Sequence, residues 1–367
     1  MRRGELKADE RAAIALRALY QTYGYSPYKV GRFEEYDLYV QNRNFLPSER
    51  ILTFTDTDGK LMALKPDVTL SIVKNTREED GPLKVSYAEH IYRPANGGGG
   101  FREIMQTGVE CLGEVDAYAM GEVLMLAARS LETISEQYAL DVSDMGVVSG
   151  VLAGEDLTDA QRGELLAAIS AKSAHDLRAA CERLGVSARA GELLDALVGA
   201  YGPLCDVLPG VEALGLPQEC EGALFNLRAV AAMMRAYGLQ DRINLDFSVV
   251  NDMGYYNGLI MSGFVDGVPS SVLSGGRYDP LLRRLGRSGQ GIGFAVYLDQ
   301  IERLTGRGMG YDVDVLITCD EQTDPLLLAR TAEGLVKGGQ SVRVQRGEPG
   351  ALIYRRRIHL EGEGAKG

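Results

Sequence analysis

Two neighbouring stretches constrain the fold most: LKVSYAEHIYRP, Leu83–Pro94, and FREIMQTGVECLG, Phe101–Gly113. They read as a pair of antiparallel strands. The connector ANGGGG between them carries glycines that allow a mobile loop. In the second strand the residues alternate between faces. Arg102, Ile104, Gln106, Gly108 and Glu110 share one face; Phe101, Glu103, Met105, Thr107, Val109 and Cys111 share the other. An Arg, a Gln and a Glu on one side, with Gly108 clearing space between them, fit the lining of a polar pocket. The same pattern fits a solvated sheet face, and the strand alone does not decide between them.

The rest of the chain builds around this pair. Residues 9–23 predict a helix with Asp9 as N-cap and Gly24 as stop. ILTFTDTDGKLMALKPD predicts a hairpin about its Asp-Gly turn. AYAMGEVLMLAARSLETISEQY predicts one long helix. After about Gly150 the chain turns Ala- and Leu-rich. Thr158 with Gln161 makes a capping box, and Ser173 starts a second helix with Leu177, Ala180, Cys181 and Leu184 on one face, ended by Gly185. Two or three further helices run to about Tyr237. Strands return in INLDFSVVND, NGLIMSGFVDG, SSVLSGG and GIGFAV, with helices in YDPLLRRLG and LDQIERL. A final strand–helix–strand unit, DVDVLITCD to QSVRVQRG, has the parallel α/β signature. The expected class is α+β: a mostly antiparallel sheet flanked by helices, with a helical insertion and a short α/β tail.

With 367 residues the chain exceeds one ordinary core. A formal net charge of −12 argues against a broad nucleic-acid or anionic-membrane surface. The one dense basic run, Arg355–Arg356–Arg357, falls in the tail. Five cysteines, none in a C-x-x-C pair, fit a reducing cytosol, and three distant histidines give no metal-ligand spacing. No apolar run reaches membrane-spanning length and no signal peptide is visible, so a cytoplasmic location is expected. Neither a metal nor a cofactor is expected.

Three short motifs carry further polar groups. ALKPDVTL offers Asp67 and Thr69, a pairing that also suits a turn or helix cap. GGRYD, Gly275–Asp279, combines close backbone approach with a cation. VVNDMGYYNG sets Tyr255 and Tyr256 between glycines; the pair fits a pocket floor or core packing with hydroxyls at the rim.

Taken together, these motifs are specific. FREIMQTGVECLGE resembles the second signature motif of histidyl-tRNA synthetase, a class II aminoacyl-tRNA synthetase. SGGRYDPLL followed by GIGFAVYLDQI resembles the lead-in and third motif, and FEEYDLY and ALKPDVTL resemble its N-terminal segments. Order and spacing fit over roughly residues 6–310. The resemblance implies an antiparallel sheet of six or seven strands. It divides the chain into a catalytic-type core at 1–150 and 240–310, a helical insertion at 151–239, and a truncated anticodon-domain-like tail at 311–367.

The departures from that family point away from catalysis. Where the synthetases read VRGLDYY, the arginine is Asn251 and the acidic residue is Gly254. The third-motif arginine that holds ATP falls at Gln300, and the first-motif proline at Gly31. Adenylation needs positive charge on the α-phosphate and on the leaving pyrophosphate, for which Arg is suited. Arg93 and Arg102 of the second motif remain as residual anion contacts.

A core kept, cations lost and a tail trimmed resemble the regulatory subunits of ATP phosphoribosyltransferase, the first enzyme of histidine biosynthesis. That resemblance implies no catalytic residues of its own and a hetero-octamer with a short catalytic chain. It also implies self-dimerisation through the core, feedback by free histidine and no tRNA partner. By position, Asp67, Thr69 and Gln106 would hold the ammonium of histidine. Glu110 and Tyr256 would meet the imidazole, with Tyr255 beside them.

Overall fold

In the computed structural model, residues 8–42, 50–77, 82–95, 100–250, 255–301, 311–348, 350 and 352–361 are described. They form two compact units, one holding residues 8–301 and the other 311–361. The strands of the larger unit are β1 (Ser26–Pro27), β2 (Phe33–Glu35), β3 (Thr53–Thr55), β4 (Leu61–Leu64), β5 (Leu83–Pro94), β6 (Phe101–Gly113), β7 (Tyr138–Asp144), β8 (Tyr201–Pro203), β9 (Ile243–Asp246), β10 (Leu259–Val265), β11 (Leu273–Arg277) and β12 (Gln290–Tyr297).

Nine of them make one sheet in the order β1-β5-β6-β12-β11-β10-β7-β9-β8, two or three strands more than expected. β1–β5 and β7–β9 pair in parallel and the others antiparallel. The register fixes two unlike faces, because directly opposed residues point the same way. Val109, Phe294, Gly275, Met261 and Val142 line up across β6, β12, β11, β10 and β7. This row faces the helices Ala8–Thr22 and Ala117–Ile134, whose Leu16, Tyr20, Val123, Leu124, Ala127 and Leu131 are wholly buried. The neighbouring row is Gly108, Ala295, Ser274, Ser262 and Asp141. One face is thus greasy and the other polar, as the alternation in β6 requires.

The β5–β6 pair forms as expected, with Arg93 opposite Arg102 and Ser86 opposite Val109. Residues 96–99 of its connector, where a mobile loop is expected, lie outside the described residues. The Asp-Gly hairpin is also present. β3 and β4 pair antiparallel, Asp56 Oδ1 accepts from the N–H groups of Asp58 and Lys60 at 2.9 and 2.8 Å, and Gly59 takes φ 82°. With β2 they make a separate three-stranded sheet.

Several expectations shift. The first helix spans Ala8–Thr22, so Asp9 lies in its first turn rather than at the N-cap. The long helix stops at Ile134, and Tyr138 opens β7 instead of closing the helix. Its β-branched and aromatic content is low, yet β7 is an interior strand of the sheet and its burial pattern shows it. The helices Asp159–Ser170 and Ala174–Leu184 start at Thr158 and Ser173 as read, and Gly185 ends the second with φ 72°. Ala188–Gly199, Leu204–Glu212 and Glu221–Ala236 follow. Between the first two of these, β8 interrupts a stretch expected to be all helix and pairs with β9.

The smaller unit has β13 (Val313–Cys319), β14 (Val342–Arg346) and β15 (Tyr354–Leu360), in the order β14-β13-β15, all parallel. The helix Pro325–Lys337, capped by Asp324, connects the first two. The run Arg355–Arg357 is therefore strand. Arg357 Nε donates to Thr318 Oγ1 at 3.0 Å and its guanidinium pairs with Glu348 at 3.2 Å.

Candidate functional site

Glu110 sits at the centre of the polar face and is 1% exposed. Thr69, at the start of the helix Thr69–Asn75, donates its hydroxyl to Glu110 Oε1 at 2.6 Å. Tyr278 donates its hydroxyl to Oε2. Two glycines of β12 make this possible. A Cβ on Gly293 would lie 1.9 Å from Glu110 Oε2 and 2.4 Å from the Val109 carbonyl; one on Gly291 would lie 2.5 Å from the Tyr278 ring. The glycines of GIGFAV thus clear the floor under a buried carboxyl and its tyrosine. Gly293→Ala is expected to destabilise the chain by about 3 kcal/mol, because a backbone carbonyl must move. Chemical denaturation checks it, and an unchanged midpoint would contradict this packing.

Burial pushes the Glu110 carboxyl up to about 8; the Thr69 and Tyr278 hydroxyls pull it down and Asp67 adds to the rise. Asp67 Oδ1 accepts from the Leu70 N–H at 2.9 Å and so holds the first turn of the Thr69 helix. Its carboxyl is also raised by burial, against the pull of Arg93 and the backbone N–H groups of Leu70 and Thr69.

Tyr255 and Tyr256 pack edge to face, ring centroids 4.4 Å apart at 70°, and Tyr255 lies 6.4 Å from Tyr278. Burial holds all three phenols well above the ordinary tyrosine value, so they remain neutral donors and acceptors. Gln106 shares their face, in register with Tyr297 and Glu89. It is 2% exposed, and its amide makes no hydrogen bond to any described residue. The amide is not among the fully buried side-chain atoms that lack a partner, so it keeps contact with solvent and stands open to a ligand.

The structure therefore gathers Asp67, Thr69 and Glu110 into one connected group and sets Gln106 on the same sheet face. Tyr255 and Tyr256 join that group through Tyr278. Thr69 and Glu110 already bond each other. Tyr278 is the participant that strand patterns do not single out; the signal lay in GGRYD, where the cation draws attention first.

The cations are matched. Arg93 Nε donates to the Pro66 carbonyl at 2.9 Å, and its guanidinium lies 3.8 Å from Asp67. Arg102 lies 3.9 Å from Asp299. Arg277 pairs with Asp279 at 2.9 Å, and Asp279 also accepts from Asn257 at 3.0 Å and from the Gly291 N–H at 3.2 Å. Gln300 accepts from Ser270 at 3.2 Å. Gly31 is exposed, and a Cβ there would meet only the Phe33 carbonyl at 3.4 Å. Asn251 and Gly254 lie outside the described residues.

A family model described as histidyl-tRNA synthetase matches residues 2–301. The chain belongs to the histidyl-tRNA synthetase family. Its curated relatives include regulatory subunits of ATP phosphoribosyltransferase. It is 29% identical over 286 residues to an ATP phosphoribosyltransferase regulatory subunit of Alkaliphilus metalliredigens, covering 76% of this chain and 72% of that one. Its histidyl-tRNA synthetase fold superposes with TM-score 0.80 on a Bacillus halodurans protein described as an ATP phosphoribosyltransferase regulatory subunit/histidyl-tRNA synthetase. That pair shares 22% identity and covers 99% and 97% of the two chains. A chain of the ATP phosphoribosyl transferase (HisG:HisZ) complex of Thermotoga maritima superposes with TM-score 0.62 at 16% identity, covering 78% of this chain and 96% of that one.

Proposed function

We propose that the chain is the non-catalytic regulatory subunit of ATP phosphoribosyltransferase, acting in the first step of histidine biosynthesis. One observation carries the reading: each arginine at this family site, Arg93, Arg102 and Arg277, has an aspartate within 4 Å, while Gln300 stands where the ATP-holding arginine is expected. A triphosphate needs a surplus of positive charge, and matched pairs supply none. A phosphate-gripping family scaffold is thereby left as a sensor and a partner.

The partner is a short catalytic phosphoribosyltransferase chain, in a hetero-octamer, with this chain dimerising through its core. In this reading 1–150 and 240–310 form the catalytic-type core, 151–239 the insertion and 311–367 the anticodon-domain-like tail. A cytoplasmic location suits cysteines that are all free and buried. Among the described residues no helix is long and apolar enough to cross a membrane. The test is co-purification from the native host: the catalytic chain is expected to come down with the tagged protein. Failure of the two purified chains to associate would defeat the proposal.

The effector is free histidine, held in the Glu110 group. Its ammonium lies toward Asp67 and the open Gln106 amide oxygen. Its imidazole lies toward Tyr256 and the Glu110–Tyr278 pair, with Tyr255 alongside. Its carboxylate would lie toward Arg93 and Arg102, each of them shared with its aspartate. The matched amide donors and acceptors make such a site selective, because an analogue leaves buried groups unpaired. Calorimetric titration of histidine into the assembled complex is expected to show affinity reduced roughly tenfold or more by Gln106→Ala. Unchanged affinity in that variant and in Tyr256→Phe would place histidine elsewhere. Linkage then requires substrates of the complex to alter histidine affinity by the factor histidine imposes on them.

A further inference from the structure

The polar row of the sheet continues past Tyr256 into a cavity of about 380 Å³. Of the six residues assigned to histidine, it touches Tyr256 alone. Three charged side chains line it: Asp141 of β7, Asp246 of β9 and Lys172, just past the helix Asp159–Ser170. Lys172 has φ 51°, the one non-glycine residue in the left-handed region among the described residues. Its ammonium meets Asp246 Oδ2 at 2.8 Å and lies 4.5 Å from the Tyr201 ring. Asp246 Oδ1 accepts from the N–H and the hydroxyl of Ser248, at 2.9 and 2.7 Å. Asp246 is thus neutralised and fully bonded.

Asp141 is not. It is 8% exposed; Oδ1 accepts from Asn244 Nδ2 at 2.9 Å, and Oδ2 has no partner among the described residues. Burial raises its carboxyl against the Asn244 bond, Asp246 adds to the rise and Lys172 opposes it. Ser262, opposite Asp141 in the β7–β10 register, also lines the cavity, and its hydroxyl bonds to no described residue. The trio carries one surplus negative charge in a largely buried place. Such a charge is costly unless it gains a counter-ion. Among the described residues no group of three His, Cys, Asp or Glu could hold a metal. Val249, Val250 and Phe264 give part of the wall an apolar surface.

We propose that this cavity binds a small organic monocation with a primary ammonium, donating to Asp141 Oδ2 and the Ser262 hydroxyl, its carbon skeleton lying on Val249, Val250 and Phe264. The site is independent of the regulatory reading and shares only Tyr256 with the residues assigned to histidine. It is tested by calorimetry on the full chain with alaninol, valinol and phenylalaninol, and with their N-acetyl derivatives as uncharged controls. At least one amino alcohol is expected to bind saturably, and no acetylated control. Asp141→Asn, which keeps the acceptor for Asn244, is expected to weaken binding about tenfold or more. Ser262→Ala breaks no bond to a described residue and is expected to weaken it several-fold. Gln106→Ala is expected to leave it unchanged. Absence of binding by all three amines overturns the proposal, as does equal affinity in Asp141→Asn. Loss in Gln106→Ala with retention in Asp141→Asn places the amine at the tyrosines instead, and overturns it too.

Discussion

Glu110→Ala is expected to lower the stability of the chain by about 4 kcal/mol. The change removes a buried acceptor and strands two hydroxyls, Thr69 and Tyr278, in a largely buried site. Each stranded hydroxyl costs about 1–3 kcal/mol, and the total is a large part of the roughly 5–15 kcal/mol that holds a domain together. Glu110→Gln keeps the shape and one acceptor oxygen, and is expected to cost about 1 kcal/mol. The pair also differs in pH response. The carboxyl ordinarily titrates at 4.5 and is raised to about 8 in the folded chain. Between those values the folded state holds a proton that the unfolded state has released. The stability it contributes is complete below 4.5 and is lost as pH rises to about 8, by up to about 1.4 kcal/mol per pH unit. Denaturant midpoints across that window are expected to fall more steeply for the natural chain than for Glu110→Gln. Parallel profiles would show that Glu110 is ionised in the fold.

Histidine-dependent exchange of pyrophosphate into ATP is expected to run roughly 10,000-fold or more below the rate of an active synthetase. A single transition-state donor is worth about 3–4 kcal/mol, or roughly 100- to 1000-fold, and two cations are absent, at Asn251 and Gln300. The remaining arginines are matched by Asp67, Asp299 and Asp279. Exchange at an ordinary enzymatic rate by the purified chain would overturn the regulatory reading in favour of an amino-acid-activating enzyme.

The two faces of the sheet were legible in β6 alone, because period-2 alternation survives without knowledge of neighbours. Hairpin and cap chemistry was legible at Asp56–Gly59, Thr158 and Ser173, where local bonds decide. β7, β8 and β15 were not. β7 directly follows a long helix with no Gly or Pro between them. β8 holds three residues amid helices, and only pairing with β9 makes it strand. β15 hides behind three consecutive arginines, whose charge argues for a loop until β13 is there to pair with. The site shows the same division. Asp67, Thr69, Gln106 and Glu110 could be named from motifs, whereas the Tyr278 bond and the aspartate matched to each arginine are facts of three dimensions.

β8 belongs to the helical stretch in sequence and to the great sheet in hydrogen bonding. A ladder resists shear, because sliding one rung breaks all of them together. The helices on either side of Tyr201–Pro203 are therefore not a hinged flap that swings while the platform stays still. A tug on them travels as tension along β8 and β9 into β7 and β10, the strands that floor the amine cavity.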